Sequence, residues 1–223
     1  MMDWSAFALS MQLALSTLAV LLPLGLLAGR WLARTPFKGR TWLEAAILLP
    51  LVLPPTVMGY YLLVALGGAS PVGQWLQNSF GISLTFNFTG LLLASVVFNI
   101  PFMIQPIQRA FESIPNNLNE AAQVSGLSTW AIFTKVELPL AWPGILSAIV
   151  LTFVHTLGEF GVVLMIGGSI PGETRTLAIS IYDSVQSFDL NAANTMSLAL
   201  LVFSLVAVAS SLWLSGRRKR PLQ

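Results

Sequence analysis

Five long stretches of the chain are apolar and almost free of charge, and they constrain the fold more than any other feature. Each is long enough to cross the roughly 30 Å hydrocarbon core of a bilayer as a helix. A membrane β-barrel would show apolar and polar residues in alternation, which these stretches lack. The sequence therefore predicts an all-α integral membrane protein that forms a single transmembrane domain over residues 1–223. The expected spans are Phe7 to Gly29, Ala45 to Leu66, Phe88 to Gln108, Gly144 to Ile166 and Asn194 to Gly216.

Composition supports a membrane protein and excludes several kinds of site. Charged residues make up 9% of the chain, whereas a soluble domain carries about 25%. The chain has no cysteine, which excludes disulfides, thiolate nucleophiles and sulfur metal ligands. A single histidine leaves too few ligands for a metal site of the zinc type. We therefore expect no catalytic residue and no metal centre.

The basic residues fall almost entirely on one side of the predicted spans. Arg175 is the exception, because every other Lys and Arg follows the first, the third or the last span. The positive-inside rule places that side in the cytoplasm, so we expect the N-terminus outside and the C-terminus inside. The first basic cluster follows an apolar stretch instead of preceding it, which favours a retained anchor over a cleaved signal peptide. The residues assigned to the cytoplasm are Arg30, Arg34, Lys38, Arg40, Arg109, Lys135, Arg217, Arg218, Lys219 and Arg220.

One sizeable polar segment, about residues 109–143, separates the third and fourth spans on the cytoplasmic side. The pattern predicts a short helix from Asn117 to Ser125, ended by Gly126 in the left-handed conformation. A second short helix is expected from Trp130 to Glu137. Leu138-Pro139 is expected to break it before the chain returns to the membrane.

The first of these short helices carries a small-residue surface at Ala121 and Ala122, which another protein can approach closely. Glu120 lies near the start of the helix, where a carboxylate interacts favourably with the helix dipole. Leu118 and Val124 are expected to pack against the ends of the spans. Taken alone, this pattern fits a docking surface and an ordinary interfacial helix pair equally well.

The same segment resembles the EAA loop of ABC-importer permeases, and residue types and spacing agree over some thirty positions. In that family the loop forms the coupling helix that sits in a groove of the ATP-binding subunit. The resemblance therefore implies that Glu120, Ala121, Ala122 and Gly126 couple this chain to an ATPase. The matching pattern is Glu120-Ala121-Ala122, Gly126, Phe133, Leu138-Pro139-Leu140 and Pro143-Gly144.

The resemblance extends over nearly the whole chain. Pro50 to Pro55, Leu157 to Gly161 and Ile170 to Thr176 are similar to segments of molybdate-importer permeases. Permeases for tungstate, sulfate and thiosulfate are also similar. The resemblance implies a multi-pass protein of the bacterial inner membrane that moves an oxyanion by alternating access. Molybdate is the first expectation, with tungstate or sulfate/thiosulfate as alternatives.

The sequence also indicates which partners such a permease needs. Nothing matches the phosphate-binding loop G-x-x-x-x-G-K-[ST], so we expect ATP and Mg on a partner and no cofactor on this chain. Five spans are too few to enclose a path, which favours a C2 homodimer in membrane lipid. The resemblance adds two ATP-binding cassette subunits and a periplasmic or lipid-anchored oxyanion-binding protein, and no nucleic acid. The rival interpretations are a non-transporting anchor or sensor for an ATPase and an intramembrane enzyme.

Polar residues form a stripe along the predicted fourth span. Thr152, His155, Thr156 and Glu159 recur at helical spacing, and ionisable groups at membrane depth are candidates for function. We therefore treat Thr152, His155 and Glu159 as candidate pore residues. A carboxylate beside a path for an anion would raise the barrier, however. For Glu159 we favour a structural role, either paired with His155 or capping a helix break.

Prolines are expected to disturb the second and third spans. Pro50, Pro54 and Pro55 lie in the second, and Pro101 and Pro106 lie in the third. A proline frees a backbone carbonyl, which must face protein or water inside a bilayer. Bent helices around a cavity suit a gate, and kinks that only aid packing are the alternative. We assign Pro54 and Pro55 as the candidate gate residues.

No Lys or Arg lies well inside a span, so a path through the membrane would offer neutral donors such as Asn99. Ion selectivity would then lie in a separate receptor. Arg175 on the outer side is a candidate anion or receptor contact, with a simple ion pair to Glu173 as the alternative.

Overall fold

The fold is taken from a computed structural model that describes residues 1–217, with side chains up to residue 214. The described residues form eleven α-helices and one π-helical turn and contain no strand, which confirms the all-α prediction. Arg218, Lys219 and Arg220, part of the basic cluster assigned to the cytoplasm, lie outside this range. The helices are α1 (Trp4–Arg34), α2 (Arg40–Val52), α3 (Pro55–Leu66), α4 (Pro71–Phe80), α5 (Phe88–Glu112), α6 (Asn116–Val124), α7 (Thr129–Ile132), α8 (Leu138–Gly158), α9 (Gly161–Gly167), α10 (Leu177–Gln186) and α11 (Leu190–Arg217), and the π-helical turn is Phe133–Glu137.

Four helical segments of the described chain are individually long and apolar enough to cross a membrane. These are Trp4–Arg34, Phe88–Glu112, Thr129–Gly158 and Leu190–Leu214. The pair α2 and α3 together provides a fifth candidate span, but the helix axis bends by 110° between the two helices. The segment therefore either breaks within the bilayer or re-enters on the side from which it came.

The break between α2 and α3 lies at the predicted prolines. α2 ends at Val52, and α3 begins with Pro55 at its first position. A proline suits the first turn of a helix because its φ is already helical and its missing N–H would be unpaired there. Pro54 and Pro55 thus separate two helices instead of kinking one, whereas Pro50 lies inside α2. Their role as a gate stays a prediction.

The fourth span differs from the prediction at both ends. We expected Leu138-Pro139 to break the chain, but Thr129–Gly158 is one continuous helical segment. The π-helical turn explains the difference, because the Leu138 N–H bonds the Phe133 carbonyl five residues back. This wider turn accommodates Pro139, which lacks a donor and would clash in a regular helix interior. At the other end α8 stops at Gly158, so the span is not continuous to Ile166.

Helices α1, α5 and α8 form the core of the described structure, and glycines bring their backbones together. A Cβ added at Gly29 of α1 would lie 2.7 Å from Ile107 Cγ2 on α5. A Cβ added at Gly144 of α8 would overlap the Cβ of Ala110 on α5. Small residues at such crossings allow close van der Waals packing, which drives helix association in membranes. These close contacts lie in the half of the bundle that contains the ends of α1 and α5 and the start of α8.

Replacing Gly144 with Ala is expected to destabilise the protein, because the new methyl group has no room between α5 and α8. Gly158→Ala is the matched control, since a Cβ at Gly158 meets nothing within 4 Å. Overpacking predicts a fall in Tm of about 5 °C for Gly144→Ala. The measurement is tryptophan fluorescence of the detergent-solubilised protein during heating. Equal Tm values for the two variants would contradict the proposed helix crossing.

Candidate functional site

The segment between α5 and α8 begins with helix α6, and Gly126 ends that helix as predicted. Gly126 has a φ of +80°, in the left-handed region that glycine adopts without strain. The Gly126 N–H bonds the Gln123 carbonyl at 2.9 Å, and the Leu127 N–H bonds the Ala122 carbonyl at 3.1 Å. These two bonds define a Schellman motif. Because a side chain at Gly126 would strain this turn, the glycine determines how the chain leaves α6.

One face of α6 is open to solvent, and it contains most of the residues predicted to dock a partner. Glu120 and Ala121 are exposed, whereas Ala122 is buried against the protein. Leu118 and Val124 were expected to pack against the spans, but they are 42% and 90% exposed. The expectation was wrong because no other described part of the chain covers this face. An apolar patch beside a carboxylate is therefore available on α6.

Glu137 anchors this segment to the bundle, and sequence reasoning missed it. Its side chain is only 2% exposed and lies between two arginines at the end of α1. Arg30 Nε is 2.6 Å from Glu137 Oε2, and Arg34 Nε is 3.3 Å from Oε1. Asn119 of α6 donates to Oε1 at 3.1 Å. One carboxylate therefore joins α1, α6 and the start of the fourth span.

Further contacts strengthen this junction, which we call the Glu137 cluster (Arg30, Arg34, Asn119 and Glu137). Arg34 Nη1 donates to Asn116 Oδ1 at 3.0 Å, so both arginines hold the segment between α5 and α8. The Arg30 guanidinium also lies 5.1 Å from the centre of the Phe133 ring. Arg30 and Arg34 are one helical turn apart and so share a face of α1. This spacing of Arg30 and Arg34, together with the acidic Glu137 just before an apolar stretch, is the sequence pattern that could have predicted the ion pairs.

A second ionic group joins the start of α2 to the end of α5. Arg40 Nε lies 2.8 Å from Glu44 Oε1, and its Nη2 lies 2.5 Å from Glu112 Oε1. Gln108 donates to both carboxylates, at 2.7 and 3.0 Å. The start of α2 and the end of α5 are therefore held together by hydrogen bonds.

Two of the candidate pore residues, Asn99 and His155, belong to a chain of hydrogen bonds between the long helices. Thr17 Oγ1 and Ser95 Oγ are 2.9 Å apart, and Asn99 donates to the Ser95 carbonyl at 2.8 Å. Asn99 Oδ1 lies 3.0 Å from His155 Nδ1. The chain therefore crosses from α1 through α5 to α8. Thr152 is also fully buried, and its hydroxyl has no hydrogen-bond partner among the described residues.

Glu159 caps a helix, which confirms one of its two structural alternatives. It follows the last residue of α8, and its Oε1 accepts the Val162 N–H at 2.8 Å. The recorded hydrogen bond of His155 goes to Asn99, so the predicted pairing of Glu159 with His155 is wrong. The physical reason is the break at Gly158, after which α9 needs a group that accepts from its first backbone N–H donors. The carboxylate is held by the backbone.

The breaks in the second and fourth spans meet in the structure. A Cβ added at Gly161, the first residue of α9, would lie 2.7 Å from Pro55 Cβ. A Cβ at Gly59 would lie 2.8 Å from Met165 Cβ, so α3 and α9 pack closely along their length. The two candidate gate prolines and Glu159 therefore belong to one region of irregular backbone.

Arg175 is held by Asp183 and Ser169, and not by Glu173 as in the alternative prediction. Its Nε lies 3.5 Å from Asp183 Oδ2 and donates to Ser169 Oγ at 3.0 Å. Ser169 in turn donates to Asp183 at 2.7 Å. The alternative of an ion pair with Glu173 is wrong, because the turn before α10 brings Arg175 to Asp183 on that helix.

Asp3 at the start of α1 links the N-terminus to the same outer region. Burial acts to raise the pKa of Asp3, but hydrogen bonds from the Ala6 N–H and the Ser5 and Ser180 hydroxyls hold it below its ordinary value. The carboxylate thus stays charged at neutral pH and caps α1.

Comparison with known families identifies the class of protein. The model for the binding-protein-dependent transport system inner membrane component matches residues 22–220. The chain belongs to this family. Family membership and the apolar helices together show a multi-pass permease of the inner membrane.

Individual relatives of this permease cover almost all of it. The molybdenum transport system permease protein ModB of Azotobacter vinelandii is 43% identical over 220 residues, 99% of this chain and 97% of that protein. ModB of Haemophilus influenzae is 37% identical over 222 residues, with coverage of 99% and 97%. The sulfate transport system permease protein CysT of Escherichia coli is 34% identical over 193 residues, 86% of this chain and 69% of CysT.

Solved transporters share the fold of this permease. A bacterial ABC transporter for import of the acidic polysaccharide alginate matches with a TM-score of 0.79 and 20% identity, over 97% of this chain and 79% of that one. The alginate transporter in complex with an alginate pentasaccharide-bound periplasmic protein matches with a TM-score of 0.77, 20% identity and the same coverage. The arrangement of helices described above is therefore that of ABC-importer permeases.

Replacing Glu137 with Gln is expected to lower the Tm of the permease by about 5 °C. The substitution leaves two arginines without a counter-charge, and the penalty is about half that of a fully buried pair because both arginines reach solvent. Glu120→Gln is the matched control, since Glu120 lies on the exposed face of α6. The measurement is again thermal unfolding by tryptophan fluorescence. A Glu137→Gln protein as stable as Glu120→Gln would show that the cluster does not hold the segment.

Proposed function

We propose that this permease forms the membrane path of an ATP-driven importer for molybdate. The observation that carries the proposal is the docking helix α6, exposed on one face and fixed to two spans by Glu137 on the other. The nearly full-length similarity to molybdenum permeases supports the ion. The sulfate permease is similar over less of its own length, which makes sulfate the weaker alternative.

The ATPase of the importer belongs to partner subunits. In this proposal each of two ATP-binding cassette subunits, carrying ATP and Mg, grips one α6 helix. The patch formed by Leu118, Ala121 and Val124 supplies the apolar contact, and Glu120 supplies a charged one. When ATP closes the two subunits, the pull on α6 passes through Asn119 and Glu137 to α1 and α8.

The path itself would lie between two copies of the permease related by a twofold axis. A single chain with four or five spans encloses too little space for a path, and a C2 interface is the commonest solution. The adjoining breaks in the second and fourth spans would serve as the gate, since broken helices line cavities in membrane transporters. Pro54, Pro55, Asn99, Thr152, His155 and Glu159 are the residues assigned to path and gate.

The outer end would receive the anion from a periplasmic or lipid-anchored binding protein. Support comes from the solved alginate transporter, which was crystallised with such a periplasmic protein. In this topology the N-terminus and Arg175 face the outside, and the C-terminus lies in the cytoplasm. Arg175 would contact the receptor or the anion while keeping its bonds to Ser169 and Asp183.

Uptake into proteoliposomes tests the function. Vesicles that contain the permease with its ATPase, supplied outside with the oxyanion-binding protein, are expected to accumulate molybdate only when ATP is enclosed. Sulfate and tungstate are added separately as competing ions. ATP hydrolysis without accumulation of any of the three would contradict import and favour the anchor interpretation.

Gly126→Val is expected to uncouple ATP hydrolysis from transport. A β-branched residue at a φ of +80° costs roughly 1–3 kcal/mol. At about 1.4 kcal/mol per factor of ten, this strain would lower the population of correctly placed α6 roughly tenfold. The measurement is the number of anions accumulated per ATP hydrolysed.

Gly81→Val is the control for this variant. Gly81 also has a positive φ, of +67°, and open space around it, but it ends α4 outside the docking segment. The Gly81→Val variant should have similar backbone strain but keep the normal number of anions accumulated per ATP hydrolysed. If Gly126→Val also transports with the normal ratio, the coupling role of α6 is wrong.

A further inference from the structure

A groove opens at the cytoplasmic end of α1, on the side away from α5. It has a volume of about 610 Å³, and its walls are mostly apolar. Leu27 and Trp31 of α1 form one wall, and Trp130 and Phe133 form the other. Leu27 is 70% exposed and Trp130 is 71% exposed. This apolar surface is unusually open for a region so near the charged Glu137 cluster.

The groove carries positive charge that the protein does not neutralise. Arg30 and Arg34 both line it, whereas Glu137 is the single carboxylate among the described residues that pairs with them. Arg30 uses its Nε for that pairing, and its two terminal nitrogens make no hydrogen bond within the described part of the chain. A guanidinium held in this way presents two donors to an oxyanion in a planar fork.

The position of the groove matches the boundary between bilayer and water. It lies in the last two turns of the 31-residue helix α1, just before that helix ends at Arg34. Trp31 and Trp130 supply the aromatic side chains that favour the headgroup level of a membrane. Leu24, one turn earlier on α1, is also exposed, so the groove continues into the lipid-facing surface.

We infer that the groove binds one anionic phospholipid, with its phosphate on Arg30 and an acyl chain against Leu27, Trp31 and Trp130. The apolar walls match an acyl chain. The uncompensated positive charge matches a lipid headgroup with a net negative charge. Basic pockets at the cytoplasmic ends of transmembrane helices bind such headgroups. The inference depends on the proposed topology only for the leaflet, which is the cytoplasmic one.

The bound lipid has a consequence for the Glu137 cluster. A phosphate on the free nitrogens of Arg30 would fix the guanidinium that also bonds Glu137. The same arginine lies over the Phe133 ring, in the turn that leads from α7 to α8. The lipid would therefore stabilise the junction that holds the docking helix, without touching the docking face itself.

Thermal unfolding of the full-length protein in detergent tests this site. Added phosphatidylglycerol is expected to raise the Tm about 4 °C more than the same amount of phosphatidylcholine, at a concentration about tenfold above its Kd. Inorganic phosphate alone should leave the Tm unchanged, because it makes no acyl contact. Equal shifts with the two lipids, or a matching shift with inorganic phosphate, would overturn the inference.

Two pairs of variants locate the effect. Leu27→Trp fills the groove and leaves the ion pairs intact, and Leu24→Trp makes the same change just outside it. Arg30→Gln removes the phosphate contact, and Lys38→Gln removes an exposed charge elsewhere on the same side. The difference between the two lipids should fall at least threefold in Leu27→Trp and Arg30→Gln and persist in both controls. A difference that survives Leu27→Trp and Arg30→Gln would place the lipid elsewhere and refute the site.

Discussion

The buried carboxylate of Glu137 is the interaction on which the junction of α1, α6 and the start of the fourth span depends. A charge so far removed from water is stable only when it is paired and hydrogen-bonded. Two arginines from α1 and an amide from α6 satisfy that need, and in doing so they bring three distant parts of the chain to one point. The same residues leave the outer face of α6 free. The position of α6 thus depends on an electrostatic requirement inside the protein as well as on the packing of Ala122.

Features that depend on neighbouring residues could be predicted from the sequence. The spans follow from length and polarity, and the stop at Gly126 follows from the one residue that takes a positive φ without strain. Pro54-Pro55 likewise predicts a helix break, whatever the second span packs against. Each of these needs no knowledge of what the segment packs against.

Features that depend on distant residues could not be predicted. Glu137 is 107 residues from Arg30, and only the packing of α1 against α5 and α8 brings them together. Glu159 had two structural alternatives, and the break that decides between them appears only when α9 packs on α3. The error at Pro139 has a similar cause. A proline usually ends a helix, but a π-helical turn supported by the Glu137 cluster lets this one continue.

Because Thr129–Gly158 is one continuous helical segment, a movement at one end is transmitted to the other. Its 30 residues span about 45 Å at 1.5 Å per residue, so one helical segment reaches from the turn after α6 to the break at Glu159. A tilt of roughly 5° about its cytoplasmic tip would carry the far end, next to Glu159 and the broken spans, through about 4 Å by the same geometry. That distance is comparable to the diameter of a small anion. A break at Pro139 would have placed a hinge near the start of this segment. A small movement of the α6 region would then not have reached the far end.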